Sequence, residues 1–451
     1  MLRMITGSLF LVIQLAMASF PVSVTGAPAG TGHLGKGPAG TGFLRVGPGS
    51  PVGPGFLRAG PGFRNGYWRG SLERKDGNNI VFTFEVKDSA GKKILYIKNA
   101  GERLLVDDIT SEGDSVFIRM PFYESQLRAR ITPEGNLDGV WLRHLVSDYQ
   151  SVPFKAFYGV YYRFDDATWK QGDPIVTGRW AAVFRASNGK DTTFRVGEFE
   201  QTGVHVTGTF LDAGGDLRYL EGVVSGDSLK LSCFDGTHAY FFTARVDGGR
   251  MSGGQEFSGA AGREDWTAVK DAGAHLEDQF AMTKWKKDAL FGFTFKDIDG
   301  HPVSLSDERF RGKVVLVQIM GSWCPNCMDE TRFLSGFYNE YRSKGVEIVA
   351  LAYERSTDFA RSQASLRTFQ QRFQVNYPML ITGVAVGDPQ RAEKTLPQLE
   401  SIVNFPTTIF VGKTGHIEKI HTGFSGPGTG EHYEEQKKEF YATVKGLLAG
   451  S

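Results

Sequence analysis

The chain has 451 residues, which is too long for one ordinary hydrophobic core and predicts roughly three domains at about 150 residues each. Its 51 basic and 50 acidic residues leave a formal net charge of +1, so the composition gives no electrostatic basis for binding nucleic acid or an anionic membrane surface. Three cysteines are too few for a disulfide-stapled scaffold or for a four-cysteine zinc site.

Residues 1–26 have the pattern of a secretory signal peptide. Arg3 supplies a positive start, residues 9–18 form a short apolar run, and Ala16 to Ala18 fit a small-residue cleavage rule. The run is far shorter than the ~20 apolar residues that span a bilayer, and an uncleaved anchor is the alternative interpretation. We therefore predict an exported protein of the periplasm or cell envelope, in which only the N-terminus could associate with a membrane.

Residues 27–64 are rich in glycine and proline and carry a weakly repeated Phe-Leu-Arg pattern. Such a composition buries too little apolar surface to offset the entropy lost on ordering. We therefore predict a disordered linker, with a docking motif as the alternative interpretation of the repeated tripeptide.

The next part of the chain contains an internal repeat. Gly66 and Trp68 are matched by Gly178 and Trp180, and further similarities keep an offset of about 113 residues. Short alternating apolar runs between Gly, Asn and Asp predict strands and turns with almost no helix. We predict two similar all-β domains, residues 65–165 and 175–270, built as small barrels or sandwiches. The two tryptophans are expected to fill equivalent cores.

Charged residues at 271–287 predict a short helical connector, and strands then alternate with helices to the end of the chain. This alternation predicts an α/β domain at residues 285–451, with a central sheet flanked by helices. The predicted strands are residues 314–320, 346–353, 377–381, 407–411 and 416–421, and the predicted helices are one opening near Cys324 and residues 365–373, 391–400 and 434–448. The predicted fold class is multidomain, with duplicated all-β domains before the α/β domain.

Cys324 and Cys327 lie three positions apart, a spacing typical of redox and metal sites. The predicted strand ends at Met320 and a helix begins near Cys324, with Pro325 suited to its first turn. Unpaired backbone N–H groups and the positive end of the helix dipole favour the thiolate form of the first cysteine. We predict that Cys324 attacks a partner disulfide and that Cys327, one turn further along, resolves the mixed disulfide.

The segment from Trp323 to Cys327 resembles the active site of the thioredoxin superfamily, and residues 405–410 resemble its cis-proline strand. Residues 293–306 and an extra strand–helix pair near residues 377–400 are similar to the TlpA/ResA-like branch, which contains exported thiol–disulfide oxidoreductases. The resemblance covers residues 290–450 and implies a thioredoxin-like fold.

The same resemblance implies roles for residues around the cysteines. Pro406 would be cis and packed beside them, where its neighbour's backbone can pair with a bound peptide. Glu330 matches a buried acidic residue that tunes the cysteine pKa values and relays protons, and a carboxylate there would raise those values by repulsion. Trp323 is carried over as the aromatic residue that precedes the first cysteine.

The leading functional interpretation is an exported thiol–disulfide reductase or isomerase, because neither Pro325 nor Asn326 adds a positive charge beside the thiolate. The predicted partners are a protein disulfide or dithiol client and an upstream thiol donor in the envelope; no cofactor and no nucleic acid are expected. A peroxiredoxin-type thiol peroxidase is an alternative, although Gly321 and Val317 replace the Thr or Ser and the Pro of that family. A third interpretation makes the β repeats a binding module for glycan, lipid or protein that delivers the redox domain to its client.

Four further features have structural interpretations. Cys233 is matched by Met120 in the first repeat, which predicts an apolar core position. Residues 423–430 are glycine-rich but lack the lysine of a phosphate-binding loop, so we predict a mobile loop. Glu354 follows a predicted strand and is either a second acidic neighbour of the cysteines or a solvated cap. His416 and His421 would face opposite sides of one strand, so no metal site is predicted.

Overall fold

The computed structural model describes residues 62–121, 124–144, 149–164, 170–276, 278–286 and 290–450. The predicted signal peptide and nearly all of the predicted linker lie outside these residues. Within the described ranges, no helix is long and apolar enough to cross a membrane.

The first β domain is an antiparallel sheet of nine strands in the spatial order β4-β3-β2-β1-β9-β8-β7-β6-β5. Its strands follow the alternation of the sequence, so that Phe82, Phe84 and Val86 of one strand point into the core. The strands are β1 (Gly66–Leu72), β2 (Ile80–Ser89), β3 (Lys92–Asn99), β4 (Glu102–Val106), β5 (Asp108–Glu112), β6 (Ser115–Arg119), β7 (Ser125–Ile131), β8 (Leu137–His144) and β9 (Tyr149–Tyr158).

The second β domain repeats this architecture with nine more strands, and its sheet closes on itself through pairing of β11 with β12. Its interior is filled by large aromatic side chains, among them Phe184, Phe210 and Trp266. The strands are β10 (Gly178–Ala186), β11 (Thr192–Thr202), β12 (His205–Asp212), β13 (Gly215–Asp216), β14 (Leu220–Ser225), β15 (Ser228–Phe234), β16 (Ala239–Asp247), β17 (Arg250–Ser258) and β18 (Gly262–Lys270).

The two β domains have buried tryptophans at the positions that the predicted repeat matches. Trp68 and Trp180 are both fully buried, and each indole N–H donates to the carbonyl four residues earlier, Arg64 at 3.1 Å and Val176 at 2.7 Å. The predicted core role of Cys233 is also confirmed, because its free thiol is fully buried on β15 and burial raises its pKa well above the ordinary value.

The C-terminal domain has a seven-stranded mixed sheet in the order β20-β19-β23-β22-β21-β24-β25, with β21, β22 and β23 parallel. All seven residues of β21 are buried, as expected for a strand that is apolar except at Gln318. The strands are β19 (Thr294–Asp297), β20 (Pro302–Ser304), β21 (Val314–Met320), β22 (Val346–Ala352), β23 (Met379–Ile381), β24 (Thr407–Val411) and β25 (Ile417–Thr422). The α-helices are α1 (Pro325–Tyr341), α2 (Phe359–Phe373), α3 (Arg391–Thr395) and α4 (Glu431–Ala449), and short 3₁₀ turns occur at Glu308–Phe310, Arg342–Lys344 and Pro427–Thr429.

The predicted helical connector is wrong, because the described residues of 271–286 contain no helix. Asp271 and Asp278 each accept a hydrogen bond from the backbone N–H two residues later, and such local bonds compete with helix formation. Trp285 forms an isolated bridge with Leu399, so the connector lies along the C-terminal domain. Two predicted helices also have other bounds: α2 begins at Phe359 behind the N-cap Asp358, and α3 ends at Thr395.

The three folded parts belong to one compact unit, Arg58–Ser451. Phe234 of the second β domain inserts into the first and stacks on Phe82, with ring centroids 4.2 Å apart. Arg361 of α2 pairs with Glu124 of the first β domain. The cysteine pair of the C-terminal domain therefore lies in a body that includes both β domains.

Candidate active site

The cysteine pair lies where β21 gives way to α1. Cys324 is the N-cap residue of the helix, with extended backbone angles, and Pro325 occupies the first helical position. The Sγ atom of Cys324 accepts a hydrogen bond from the Cys327 N–H at 3.3 Å, which satisfies one of the unpaired amides of the first turn. The two cysteines form a disulfide, with their Cα atoms 5.2 Å apart. Cys327 is fully buried, and Cys324 retains 4% of its surface.

Trp323 is held rigidly beside the disulfide. Its indole N–H donates to the carbonyl of Tyr353 at 2.8 Å, and its ring contacts Phe405 edge-on at 5.4 Å between centroids. A Cβ atom at Gly321 would collide with the indole ring, so glycine is required for the turn that leads into the site. The ring orientation is thus determined by β22, by the turn and by the segment before β24.

Pro406 and its neighbour border the other side of the cysteines. The peptide bond between Phe405 and Pro406 is cis. The carbonyl oxygen of Phe405 lies 3.6 Å from the Sγ atom of Cys324, and the carbonyl of Pro406 accepts a hydrogen bond from the Gly423 N–H at 2.7 Å. Residues 405–406 therefore adjoin the Cys324 sulfur.

Glu330 is buried three positions after Cys327, on the same side of α1 and about one turn away. Its two carboxylate oxygens accept hydrogen bonds from the Thr408 hydroxyl at 2.6 Å and from the Gln318 amide at 2.8 Å. Burial raises the pKa of Glu330 to about 7, although these two hydrogen bonds act in the opposite direction. The site therefore contains a carboxyl group that can gain or lose a proton near neutral pH.

Comparison with known protein families identifies the C-terminal region. Residues 286–436 match the family model described as Redoxin. These residues form a redoxin domain. The matched segment includes the disulfide, Trp323, Glu330 and Pro406.

Curated relatives match the same region. The thiol-disulfide oxidoreductase ResA of Geobacillus kaustophilus is 30% identical over 131 residues, which are 29% of this chain and 66% of that protein. ResA of Bacillus subtilis is 26% identical over 131 residues, 29% of this chain and 64% of that protein. The alignments thus span slightly less than two thirds of these relatives.

Solved structures of similar domains were also found. A putative thiol:disulfide interchange protein DsbE from Chlorobium tepidum is 19% identical and has a TM-score of 0.28, covering 36% of this chain and 99% of its own. StoA from Bacillus subtilis is 21% identical with a TM-score of 0.25, covering 34% of this chain and 98% of its own.

Glu354 has a role in the redoxin domain that the sequence did not reveal. It is buried, and its carboxylate accepts hydrogen bonds from the N–H and the hydroxyl of Ser322 at 2.8 and 2.7 Å. Burial raises its pKa, and the two bonds from Ser322 lower it. The expectation of a solvated cap is therefore wrong, because Glu354 fixes the turn that presents Cys324.

The glycine-rich residues 423–430 are packed and do not form an open loop. The Phe424 N–H donates at 3.3 Å to the carbonyl of Gly214 in the second β domain, and Asn326 donates to the same carbonyl at 3.0 Å. A Cβ atom at Gly428 would press on the Tyr219 ring at 3.0 Å. No local pattern predicts this contact, because its two sides, Phe424 and Gly214, are more than 200 residues apart.

Among the described residues, no group of three or more His, Cys, Asp and Glu side chains is arranged to hold a metal ion.

Proposed function

We propose that this protein is an exported thiol–disulfide oxidoreductase of the reductase or isomerase type, which exchanges disulfides with proteins of the cell envelope. The main support is the disulfide of Cys324 and Cys327 at the N-terminus of α1, within a redoxin domain. The similarity to proteins named thiol-disulfide oxidoreductase agrees with this activity.

Cys324 is the proposed nucleophile. After reduction, its sulfur would keep the N-cap position, where the Cys327 N–H and the helix dipole stabilise a thiolate. Asn326 contributes no positive charge, so this stabilisation is moderate. A moderately stabilised thiolate suits a reductant or an isomerase better than a strong oxidant.

The proposed exchange has two balanced steps. The Cys324 thiolate attacks one sulfur of a client disulfide, forming a bond between Cys324 and the client while the second client sulfur leaves as a thiolate. The Cys327 thiolate then attacks the Sγ atom of Cys324, which forms the internal disulfide and releases the other client sulfur. The client gains two electrons and the cysteine pair loses two. An upstream thiol donor returns the pair to its reduced form.

Glu330 is proposed to take the proton that Cys327 must lose before it attacks. Its pKa of about 7 lets the carboxyl group exchange a proton near neutral pH, and its place one turn from Cys327 suits transfer directly or through one water. Trp323 and Pro406 are proposed to shape the client surface. The carbonyl of Phe405 would accept a hydrogen bond from an extended client segment.

A redox titration tests this function. We expect the Cys324–Cys327 pair of the full chain to equilibrate with the glutathione couple as a two-electron system, in which a tenfold change in the equilibrium constant corresponds to about 30 mV. Cys324→Ser should abolish exchange, and Cys327→Ser should retain a mixed disulfide with oxidised glutathione. Cys233→Ala is the control and should titrate as the wild type does. A pair that cannot be oxidised and reduced reversibly would contradict the proposal.

A further inference from the structure

The residue between the two cysteines and next to Cys327, Asn326, contacts a segment of the second β domain. Cys324 retains only 4% of its surface, although the proposed function requires a client disulfide to reach it. This segment is residues 213–218, which follow β12 and include β13, and its Gly214 carbonyl accepts the hydrogen bond from Asn326. We call residues 213–218 the strap.

The strap begins as the tight turn of a hairpin, since Asp212 pairs with Gly215, and its backbone is bound to the redoxin domain. Gly215 pairs with Phe424 in a parallel β-bridge, and the carbonyl of Gly214 accepts hydrogen bonds from Asn326 at 3.0 Å and from the Phe424 N–H at 3.3 Å. A Cβ atom at Gly214 would lie 3.8 Å from Asn404, two residues before Pro406. The strap thus runs between the residues of the CxxC motif and the loop after β25.

Two charged side chains of the strap contact the redoxin domain. The carboxylate of Asp216 accepts a hydrogen bond from the Gly426 N–H at 2.7 Å. The guanidinium of Arg218 donates to the carboxylate of Asp329 on α1 at 2.8 Å. Asp216, Arg218 and Asp329 are all buried, so each contact replaces water that the charges would otherwise hold.

We propose that the surface beside Cys324 is a client groove that recognises a turn segment with small residues followed by a carboxylate and, two residues later, a guanidinium, and that the strap occupies this groove as an internal substitute. The inference rests on the proposed thiol–disulfide exchange and identifies the class of client segment. A client of this type would replace the strap at Asn326, Gly426 and Asp329, and the second β domain would withdraw from the groove as it binds.

The preference for small residues follows from the short distance between the strap backbone at Gly215 and the backbone of Phe424. Gly215 has φ +126°, and a Cβ atom there would collide with the carbonyl of Phe424 and lie 2.5 Å from the Asn326 amide. Asp329 supplies the negative charge that a client guanidinium would meet, and the Gly426 N–H supplies a donor for a carboxylate. A segment with bulky neutral side chains would neither fit the space at Gly215 nor pair with Asp329 and the Gly426 N–H.

A steric wedge in the strap tests whether it covers the cysteine. Gly215→Ala should displace the strap and leave every groove residue unchanged. In the reduced full chain, we expect iodoacetamide to alkylate Cys324 at least about tenfold faster than in the wild type, which corresponds to ~1.4 kcal/mol. Gly203→Ala is the matched control, since Gly203 also has positive φ, at +60°, and a Cβ atom there meets nothing within 4 Å. Equal rates in all three proteins would overturn the proposal.

A second variant tests the same contact without relying on the folding of Gly215→Ala. Asp216→Asn keeps the shape of the side chain but replaces one of the two oxygens that accept from the Gly426 and Arg218 N–H groups with an NH₂ group, so it should also speed alkylation of Cys324. Asp227→Asn, at an exposed ion pair with Arg245 in the same domain, is its control and should leave the rate unchanged. No acceleration in a folded Asp216→Asn protein would count against recognition of the carboxylate.

A peptide in trans tests the chemistry of recognition. A synthetic nonapeptide copying residues 212–220 should slow alkylation of Cys324 in an opened variant by about tenfold at saturation. The same peptide carrying Asp216→Asn and Arg218→Gln should have little effect. Equal protection by both peptides, or by neither, would overturn the client class. None of these results depends on the glutathione titration, so failure of the exchange activity and failure of the groove assignment remain separate outcomes.

Discussion

Replacing Glu330 with glutamine is expected to stabilise the redoxin domain at neutral and alkaline pH. Burial raises the pKa of Glu330 from the ordinary 4.5 to about 7 in the folded protein. The unfolded chain therefore loses this proton near pH 4.5, whereas the folded chain holds it until about pH 7. Between these values the folded state binds more protons, so the free energy of unfolding of the wild type falls as pH rises.

The expected magnitude follows from the two pKa values. Their difference corresponds to roughly 3 kcal/mol at about 1.36 kcal/mol per pKa unit, and the loss is complete above pH 7. Glutamine keeps the shape of the side chain but cannot ionise, so this pH dependence disappears. Wild type and Glu330→Gln should differ little near pH 4, and the variant should be more stable by up to roughly 3 kcal/mol at pH 8.

Hydrogen exchange of peptides from β21 measures this difference within the redoxin domain. At each pH the two proteins are compared with each other, so the intrinsic exchange rate cancels. At pH 8 the variant should be protected roughly a hundredfold more strongly, and near pH 4 about equally. Glu340→Gln is the control, because Glu340 is exposed on the same helix and forms a surface ion pair with Lys344 at 3.0 Å. A protection ratio that is the same at both pH values would refute the reasoning.

Three further substitutions test the packing that holds the site and the β repeats. Glu354→Ala leaves the buried N–H of Ser322 without a partner and should reduce protection of the turn before Cys324 by about 1–3 kcal/mol, read by hydrogen exchange. Gly321→Ala should push the Trp323 indole off the Tyr353 carbonyl and shift the tryptophan emission to longer wavelength. Trp180→Ala should cost about 3–5 kcal/mol in urea unfolding, as expected for a fully buried tryptophan.

Each of these predictions has a matched control. Glu354→Gln keeps one acceptor for Ser322 and should lose less protection than the alanine variant. Gly292→Ala, where a Cβ atom meets nothing within 4 Å, should leave the tryptophan emission unchanged. Trp180→Phe should destabilise less than Trp180→Ala. If a control variant changes the measured quantity as much as its test variant does, the role assigned to the corresponding contact is contradicted.

Local signals were sufficient to predict the core of the redox site. The strand Val314–Met320 has no polar interruption except Gln318, and Pro325 marks the first turn of the helix that follows. These features place Cys324 at a helix N-terminus without knowledge of any other part of the chain. The repeat was visible for the same reason, because Trp68 and Trp180 serve equivalent positions in equivalent sheets.

Local sequence patterns did not predict the contacts between segments that are distant along the chain. Glu354 follows a strand, and nothing in its neighbourhood indicates that Ser322 will pair with it 32 residues away. The charged residues 271–286 look helical in composition, but their aspartates bond to nearby backbone N–H groups and Trp285 pairs with Leu399 of the C-terminal domain. In both cases the deciding partner comes from another part of the fold.

The strap shows how a duplicated domain can acquire a separate role at one turn. In the first β domain, the matching turn at Ala100 and Gly101 hydrogen-bonds through the Ala100 N–H to Glu221 of the second domain, at 2.7 Å. In the second domain, the turn at Gly214 instead meets Asn326 of the CxxC motif. Because the same scaffold serves both turns, a few residues at the second turn determine which partner it meets. Access to the Cys324 sulfur is then governed by residues more than 100 positions away from it, so substitutions in the strap should change cysteine reactivity while leaving the redoxin sequence untouched.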